Sequence, residues 1–245
     1  MKNLALGFCS IRPVQLPEEA CDAREEEYLI CLKQLKRVLP DYFDLLICEN
    51  TIDELEQIKN PELRELLSES EVCATGSVGN IGTVNKGMGE LLMLKSALDE
   101  TDLDNYKNVS YITARRFYTC PYVFERTDSL GKQALLSNPD FAYISGKFHE
   151  SCKEGLYNDM FFSMNTSVMV DYANYAMKYI QDNPVQTLGS EQLLYNFVTE
   201  NKIEYEWLTW LGIIRNDWLT MIRNNWEGSK TILDIDNFHV NWLLT

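Results

Sequence analysis

Three short polar groups have the residue types needed to hold an anion or a polyhydroxylated ligand: Ser10 with Arg12, Glu49 with Asn50, and Arg115 with Arg116. A strand-end carboxylate or carboxamide suits ribose hydroxyls or the edge of a base. Paired guanidiniums suit a pyrophosphate. Any one of these groups is also what an ordinary solvated loop carries. What singles them out is position, because each follows an apolar run, at residues 4–9, 43–48 and 109–113. A fourth stretch, residues 74–83, spells Ala-Thr-Gly-Ser-Val-Gly-Asn-Ile-Gly-Thr and leads into Asn85, Lys86 and Gly87. Glycines let backbone approach a ligand, and amides at a helix start attract anions. The spelling is neither a Walker A loop nor a dinucleotide fingerprint, and a flexible connection before a helix explains it equally well.

The elements that must position these groups can be read from periodicity. Residues 4–9 form a first buried strand. From 25 to 39, apolar residues recur at Tyr28, Cys31, Leu32, Leu35, Val38 and Leu39, a helical stripe closed by Pro40. Residues 43–48 are a second buried strand. Strand, helix and strand within about fifty residues begin a parallel α/β sheet. A charged helical region over 52–67, a helix over 86–98 and a third strand over 109–113 follow. Residues 141–144 suggest a fourth strand and 161–164 a short one. A helix then carries Met169, Tyr172, Ala173, Ala176 and Ile180 on one face. Ser190 reads as the cap of a last helix, 191–198, with Glu191 in its first turn, where the macrodipole favours an acid. Open α/β sheets bind ligands at the carboxyl ends of their strands, which would gather the three polar groups at one rim.

Composition removes several classes of function. The chain has 245 residues, 45% apolar and 24% charged, enough for one substantial core. Its formal charge is −15 and it has no run of Lys or Arg, so its field opposes a nucleic-acid backbone. A small anion remains possible, because a few placed cations reverse the field locally. The seven cysteines are scattered, odd in number and never spaced C-x-x-C, which argues for core thiols in a reducing compartment. No segment approaches the roughly 18 apolar residues of a membrane span, and the start lacks a cleavable leader pattern. A cytoplasmic protein is expected, with the sequons at Asn108 and Asn165 chance matches. Two histidines, His149 and His239, are too few for Ser-His-Asp chemistry to be the expectation, although His149 beside Lys147 and Glu150 could line a cleft.

This order of elements resembles the GT-A glycosyltransferase fold: a strand with a polar end, a helix, a second strand ending in an acid, then a helix with a polar start. Asn85-Lys86-Gly87-Met88-Gly89-Glu90 resembles the segment whose helix packs under the sugar nucleotide in that family. The resemblance covers residues 3–200. It implies a single Rossmann-like α/β domain, 1–245, whose central, mostly parallel sheet is flanked by helices. Residues 1–118 would form the nucleotide-sugar half, 119–205 the acceptor half and 206–245 an aromatic tail. The tail holds Trp207, Trp210, Trp218, Trp226 and Trp242, and is expected to wrap the domain or to build a homo-oligomer interface.

The resemblance further implies a nucleoside-diphosphate sugar as donor, of UDP or GDP type, and a glycan or other hydroxyl acceptor, with hexosyl or pentosyl transfer. Ser10, Arg12, Glu49, Asn50, Asn85, Lys86, Arg115 and Arg116 would be the donor contacts. The family's next strand ends in an Asp-x-Asp motif that holds a divalent cation. Here Tyr111-Ile-Thr-Ala-Arg-Arg-Phe occupies that place without a carboxylate, so Mn or Mg is expected not to be required, and Arg115 and Arg116 would neutralise the diphosphate. Asp102-Leu-Asp104 and Asp234-Ile-Asp236 match the spelling at the wrong places. On the acceptor side, residues 161–165 and 190–195 resemble family segments that put Glu191 in the position of the catalytic base, with Asp159 and His149 as rivals. The alternatives are an S-adenosylmethionine-dependent methyltransferase and a non-catalytic α/β binding or assembly module. Against the first, its glycine loop should follow the first strand rather than the second.

Overall fold

The computed structural model describes residues 1–74, 86–137, 157, 160–183, 188–208 and 211–214. It opens with β1 (Lys2–Cys9), buried from its second residue onward, as a central strand covered on both faces must be. α1 (Glu18–Val38) follows, then β2 (Phe43–Glu49). α1 begins a full two turns before its apolar stripe: its early turns carry the exposed Glu18 and Glu19, then Asp22 and the buried Glu25, which pair with Arg12. The expected helical region at 52–67 divides. A 3-10 turn (Leu55–Gln57) precedes α2 (Pro61–Ser68), whose N-cap Asn60 accepts from the N–H groups of Glu62 and Leu63 at 3.0 and 3.1 Å. Pro61, at the first helical position, cannot continue a helix from upstream.

Next come β3 (Glu71–Ala74), α3 (Lys86–Glu100), β4 (Tyr106–Thr113), a two-residue β5 (Phe117–Tyr118), α4 (Tyr122–Asp128) and β6 (Ala134–Ser137). β7 (Phe161–Asn165), α5 (Thr166–Asp182), α6 (Ser190–Glu200), β8 (Tyr205–Leu208) and β9 (Ile213–Ile214) complete the described chain. α6 corrects one expectation. Gly189 is its N-cap and no side chain caps it, so Ser190 is the first helical residue instead.

Seven strands form one sheet in the order β3-β2-β1-β4-β7-β6-β8, and β5 pairs with β9 in a small second sheet. β1, β2, β3 and β4 are parallel, β7 is antiparallel to both β4 and β6, and β8 is parallel to β6. β7 is therefore the one reversed strand of the large sheet. The carboxyl ends of the other six lie on one rim, and the start of β7 joins them there: Phe161 is in register with Ile112, and the Thr113 N–H donates to the Met160 carbonyl at 2.9 Å.

Alternation along the strands divides the core in two. Leu4, Leu6, Phe8, Val109, Tyr111, Phe162 and Met164 face α3, α5 and α6. Ala5, Cys9, Ile47, Ile112, Leu135 and Phe161 face α1, α2 and α4. Near the rim, Tyr111 is stacked between Phe8 and Phe162, with centroids 4.2 and 4.8 Å apart and planes within 18° and 11° of parallel. Each such pair adds about 0.5–1.5 kcal/mol beyond its buried area. This stack holds β1, β4 and β7 side by side just beneath the residues that could meet a ligand.

Of the cysteines, Cys9, Cys21, Cys31, Cys48 and Cys73 are buried free thiols and Cys120 is half-buried, as the scattered spacing predicts. Burial raises the Cys9 and Cys48 thiols well above their ordinary range, which keeps them protonated. The Asn108 amide is buried and donates to Asn3 Oδ1 and the Thr127 carbonyl, both at 3.0 Å, which leaves that sequon no room for a glycan.

Candidate donor site at the carboxyl rim

The chain segments that follow β1 and β2 are joined residue by residue. Ser10 Oγ donates to Asn50 Oδ1 at 2.8 Å, and the Ile11 N–H points at both Glu49 oxygens at 3.3 and 3.2 Å. The Arg12 N–H donates to Thr51 Oγ1 at 2.8 Å. Thr51 in turn gives Glu49 Oε1 its N–H at 2.7 Å and its hydroxyl. Glu49 and Asn50 thus shape the rim by holding the loop after β1 against the end of β2. A cavity of about 300 Å³ opens on the far side of Glu49, between Ile52, Leu55, Leu67, Ser70 and Val72.

Glu49 is buried, and burial raises its pKa above the ordinary carboxylate value, while the bonds from Thr51 and Ile11 and the charge of Arg24 pull it back. The sign of the linkage follows. As pH rises from the unfolded pKa to the raised folded one, the unfolded chain gives up its proton first, so stability falls across that window. Glu49→Gln has no proton to lose. Melting curves recorded from about pH 4 upward should show wild type losing stability relative to Glu49→Gln, whatever constant offset the amide introduces. Parallel pH profiles would contradict this.

Arg12, expected among the donor contacts, is engaged by the protein itself. Its guanidinium pairs with Glu18 at 2.7 Å, with Asp22 at 3.1 Å and with the buried Glu25. Burial alone would lower its pKa, but the hydrogen bonds that it donates to Glu25 and Asp22 outweigh that and raise it. Glu25 also accepts from the N–H groups of Lys59 and Asn60, at 3.2 and 2.6 Å. The group ties the loop after β1 to α1 and to the entry of α2. A phosphate approaching Arg12 would meet three carboxylates.

Cationic charge lies across the rim, where β4 ends. Ala114 bonds back to the Phe8 carbonyl, and a turn closed by the Arg116 N–H on the Thr113 carbonyl at 3.1 Å directs the chain over α1. There the Gln34 amide holds the Tyr118 carbonyl at 2.9 Å. Arg115 lies 3.4 Å from Glu27 and close enough to Arg24 that, after burial, the like charge of Arg24 lowers its pKa further. Arg24 reaches the Ser10 carbonyl through Nε at 3.1 Å and Nη2 at 2.7 Å, and its guanidinium sits 5.8 Å from the Tyr28 ring centre. The Tyr28 hydroxyl accepts from the Ser10 N–H at 2.8 Å. β1 and β4 are parallel neighbours with Phe8 in register with Thr113, so Arg115 and Arg116 follow the strand end next to the one that Ser10 follows, where Arg24 holds the Ser10 carbonyl. Arg24 was not among the sequence candidates. The signal was present, since it stands four residues before Tyr28 and seven before Cys31, a cation on the inward stripe of α1.

The remaining expected residues divide by location. Glu191 lies half-buried in the first turn of α6, and its carbonyl faces the Tyr157 N–H at 3.5 Å. Because α6 leads into β8, a strand parallel to β4, Glu191 belongs to the rim side of that crossover. Lys86 is the first residue of α3, followed by a buried turn, Gly87-Met88-Gly89-Glu90. Asn85, the glycine stretch, residues 141–144, His149, Asp159 and Asp234-Ile-Asp236 lie outside the described residues. Asp102-Leu-Asp104 lies at the opposite edge of the sheet, where Asp102 caps the 3-10 turn (Leu103–Asn105) that precedes β4.

The sequence matches no family model and no curated protein. Among solved structures, it is similar to a Desulfovibrio desulfuricans G20 protein provisionally assigned as a nucleotide-diphospho-sugar transferase. The TM-score is 0.54 at 12% identity, over 94% of this chain and 90% of that one. The fold is GT-A-like. The apo form of mouse xyloside xylosyltransferase 1 also aligns, with a TM-score of 0.48 and 11% identity over 84% of each chain. At the end of β4, where the sequence resemblance would put an Asp-x-Asp motif, stands Thr113-Ala114-Arg115-Arg116. Two guanidiniums repel a divalent cation, so this donor set does not fit one. Among the described residues, no three His, Cys, Asp or Glu side chains stand together as metal ligands. Nor is any described helix of the GT-A-like domain long and apolar enough to cross a membrane.

Proposed function

We propose that this protein transfers a sugar from a nucleoside-diphosphate sugar to a hydroxyl acceptor, without a metal on the diphosphate. The observation that carries the reading is the cluster of Arg24, Arg115 and Arg116 beside Ser10 at the rim, in a chain of net charge −15. Glu27, 3.4 Å from Arg115, and the buried Glu49, which feels the charge of Arg24, balance part of it. Two forked, half-buried guanidiniums match a diphosphate. The general tendency of open α/β sheets to bind ligands at the carboxyl ends of their strands supports this rim. As the bond from the anomeric carbon to the phosphate oxygen lengthens, negative charge grows on the diphosphate, and fixed guanidiniums stabilise it without reorganising. Ser10 and Asn50 border the same rim, and Glu191 is the acid on the acceptor side.

The test is thermal melting of the full chain with UDP, GDP and the other nucleoside diphosphates, with S-adenosylmethionine as the contrast. A ligand bound only by the native state stabilises by about 2.7 kcal/mol at a hundred times its Kd. At least one nucleoside diphosphate should raise the melting temperature, and S-adenosylmethionine should not. Silence across the nucleotide panel from folded protein would overturn the reading in favour of a non-catalytic module, and a shift with S-adenosylmethionine alone would favour methyl transfer.

A further inference from the structure

At the other end of the rim, four aromatic side chains meet. Tyr157 lies 5.4 Å from Tyr195 of α6, 5.7 Å from Tyr205 of β8 and 6.0 Å from Trp207, ring centre to ring centre. Tyr205 and Trp207 are 5.9 Å apart. Tyr157 is 7% exposed and its hydroxyl hydrogen-bonds Tyr205, whereas Trp207 is 38% exposed. Trp207 is the penultimate residue of β8, an edge strand of the sheet, in register with Leu136. It therefore stands at the carboxyl rim, on the same sheet face as Tyr205. The acid between them, Glu206, points to the opposite face, where Arg126 at 2.6 Å and the Gly131 N–H at 2.8 Å hold it.

We propose that Trp207, backed by the rings of Tyr157, Tyr195 and Tyr205, is a stacking platform for a neutral oligosaccharide, the acceptor of the transfer proposed above, on which this inference rests. A pyranose presents one face of C–H groups and a periphery of hydroxyls. Tyr and Trp answer both, with flat apolar rings and polar tips, at little cost in side-chain entropy. The rings carry no formal charge and the protein is strongly anionic, so a neutral ligand is selected over an acidic one. Position sets the length. β4, which carries the arginines, and β8, which carries Trp207, are three strand spacings apart in the sheet order, about 14 Å. One sugar ring spans about one such spacing. An acceptor that lies on Trp207 and reaches the diphosphate end of the site is therefore a chain of about three rings, not a monosaccharide.

The experiment is calorimetric titration of the full-length protein, with and without the bound nucleoside diphosphate, using gluco-, manno-, xylo- and chito-tetraoses and their monosaccharides. At least one tetraose should bind, at least tenfold more tightly than its monosaccharide. Trp207→Ala should weaken that tetraose about tenfold, a loss of about 1.4 kcal/mol. Trp207→Phe, which keeps a ring, should retain most of the affinity, and neither variant should alter nucleotide binding. Trp207 is exposed, so both variants should fold, which their melting curves would verify. A silent tetraose panel in protein that still binds nucleotide would overturn the platform while leaving the donor reading standing. Equal tetraose affinity in Trp207→Ala, or a change in sedimentation behaviour with sugar binding unaffected, would also overturn it, the latter in favour of an interface between copies. Tetraose binding without any nucleotide binding would sink the donor reading and spare the platform.

Discussion

Replacing Arg115 and Arg116 together by alanine should weaken binding of the proposed nucleoside diphosphate by about 2–4 kcal/mol, roughly 30- to 1,000-fold in Kd. The size follows from where the guanidiniums sit. Both are half-buried at the end of β4, above α1, and Arg24 lies close to Arg115. Charge-assisted bonds formed away from bulk water are among the strongest a protein makes, and a diphosphate left without them keeps its desolvation penalty. Turnover should fall by at least the same factor, because charge on the leaving group grows in the transition state. A different result would follow if Arg115 serves only to pair with Glu27, 3.4 Å away. The double variant would then melt lower and bind nucleotide as before, and calorimetry read beside thermal melting separates the two cases. Activity in EDTA should match activity without it, since the β4 end offers a divalent cation no carboxylate. Loss of activity in EDTA, restored by manganese, would contradict the arginine account.

Glu191→Gln should cut turnover by about 10²–10⁴-fold while leaving nucleotide affinity unchanged. An alcohol is a poor nucleophile at neutral pH, so an inverting transfer needs a base within hydrogen-bond reach of the acceptor hydroxyl. Glu191 is the first-turn acid of α6, whose backbone meets Tyr157, itself part of the aromatic group at this end of the rim. The amide has the same shape, and Gly189, not Glu191, occupies the N-cap. The lost charge at the helix start costs about 0.3–1 kcal/mol, a small change in melting temperature. Normal turnover in Glu191→Gln with a dead Asp159→Asn would move the base to Asp159. Activity in both would point to His149 or to a retaining mechanism.

The strand ends were legible in the sequence because a buried parallel strand is an uninterrupted apolar run and its end is marked by the first polar residue. That gave β1, β2 and β4, and with them Ser10, Glu49 and Arg115. The short strand at 161–164 was legible too, as β7, but the four-residue strands were not. β3, β6 and β8 have four residues each, and Glu71-Val-Cys-Ala74 becomes a strand only because β2 lies beside it. Partners were the second blind spot. Nothing in the spacing of Arg12 and Glu25 says that they meet, because the contact needs the chain to turn back at Pro17 and α1 to present its second buried position to the loop. An acid on an apolar stripe was the available clue, as was Arg24 beside it. A buried charge within a periodic apolar pattern should be read as a contact whose partner lies elsewhere in the chain.

The reversal of β7 has a consequence for how such a protein can change. Since β6 and β7 are antiparallel neighbours, the chain leaves the rim after Ser137 and re-enters it at Phe161 without crossing the sheet. Residues 138–156 thus lie between two points on one rim, and closure of such a connection costs only about 0.6 kcal/mol for each doubling of its length. Insertions, deletions or wholesale exchange there leave the strand order, the aromatic stack under the rim and the arginines of β4 as they are. Exchange there would fall beside the aromatic group, so under the proposed reading it would change what is accepted and spare how the donor is held.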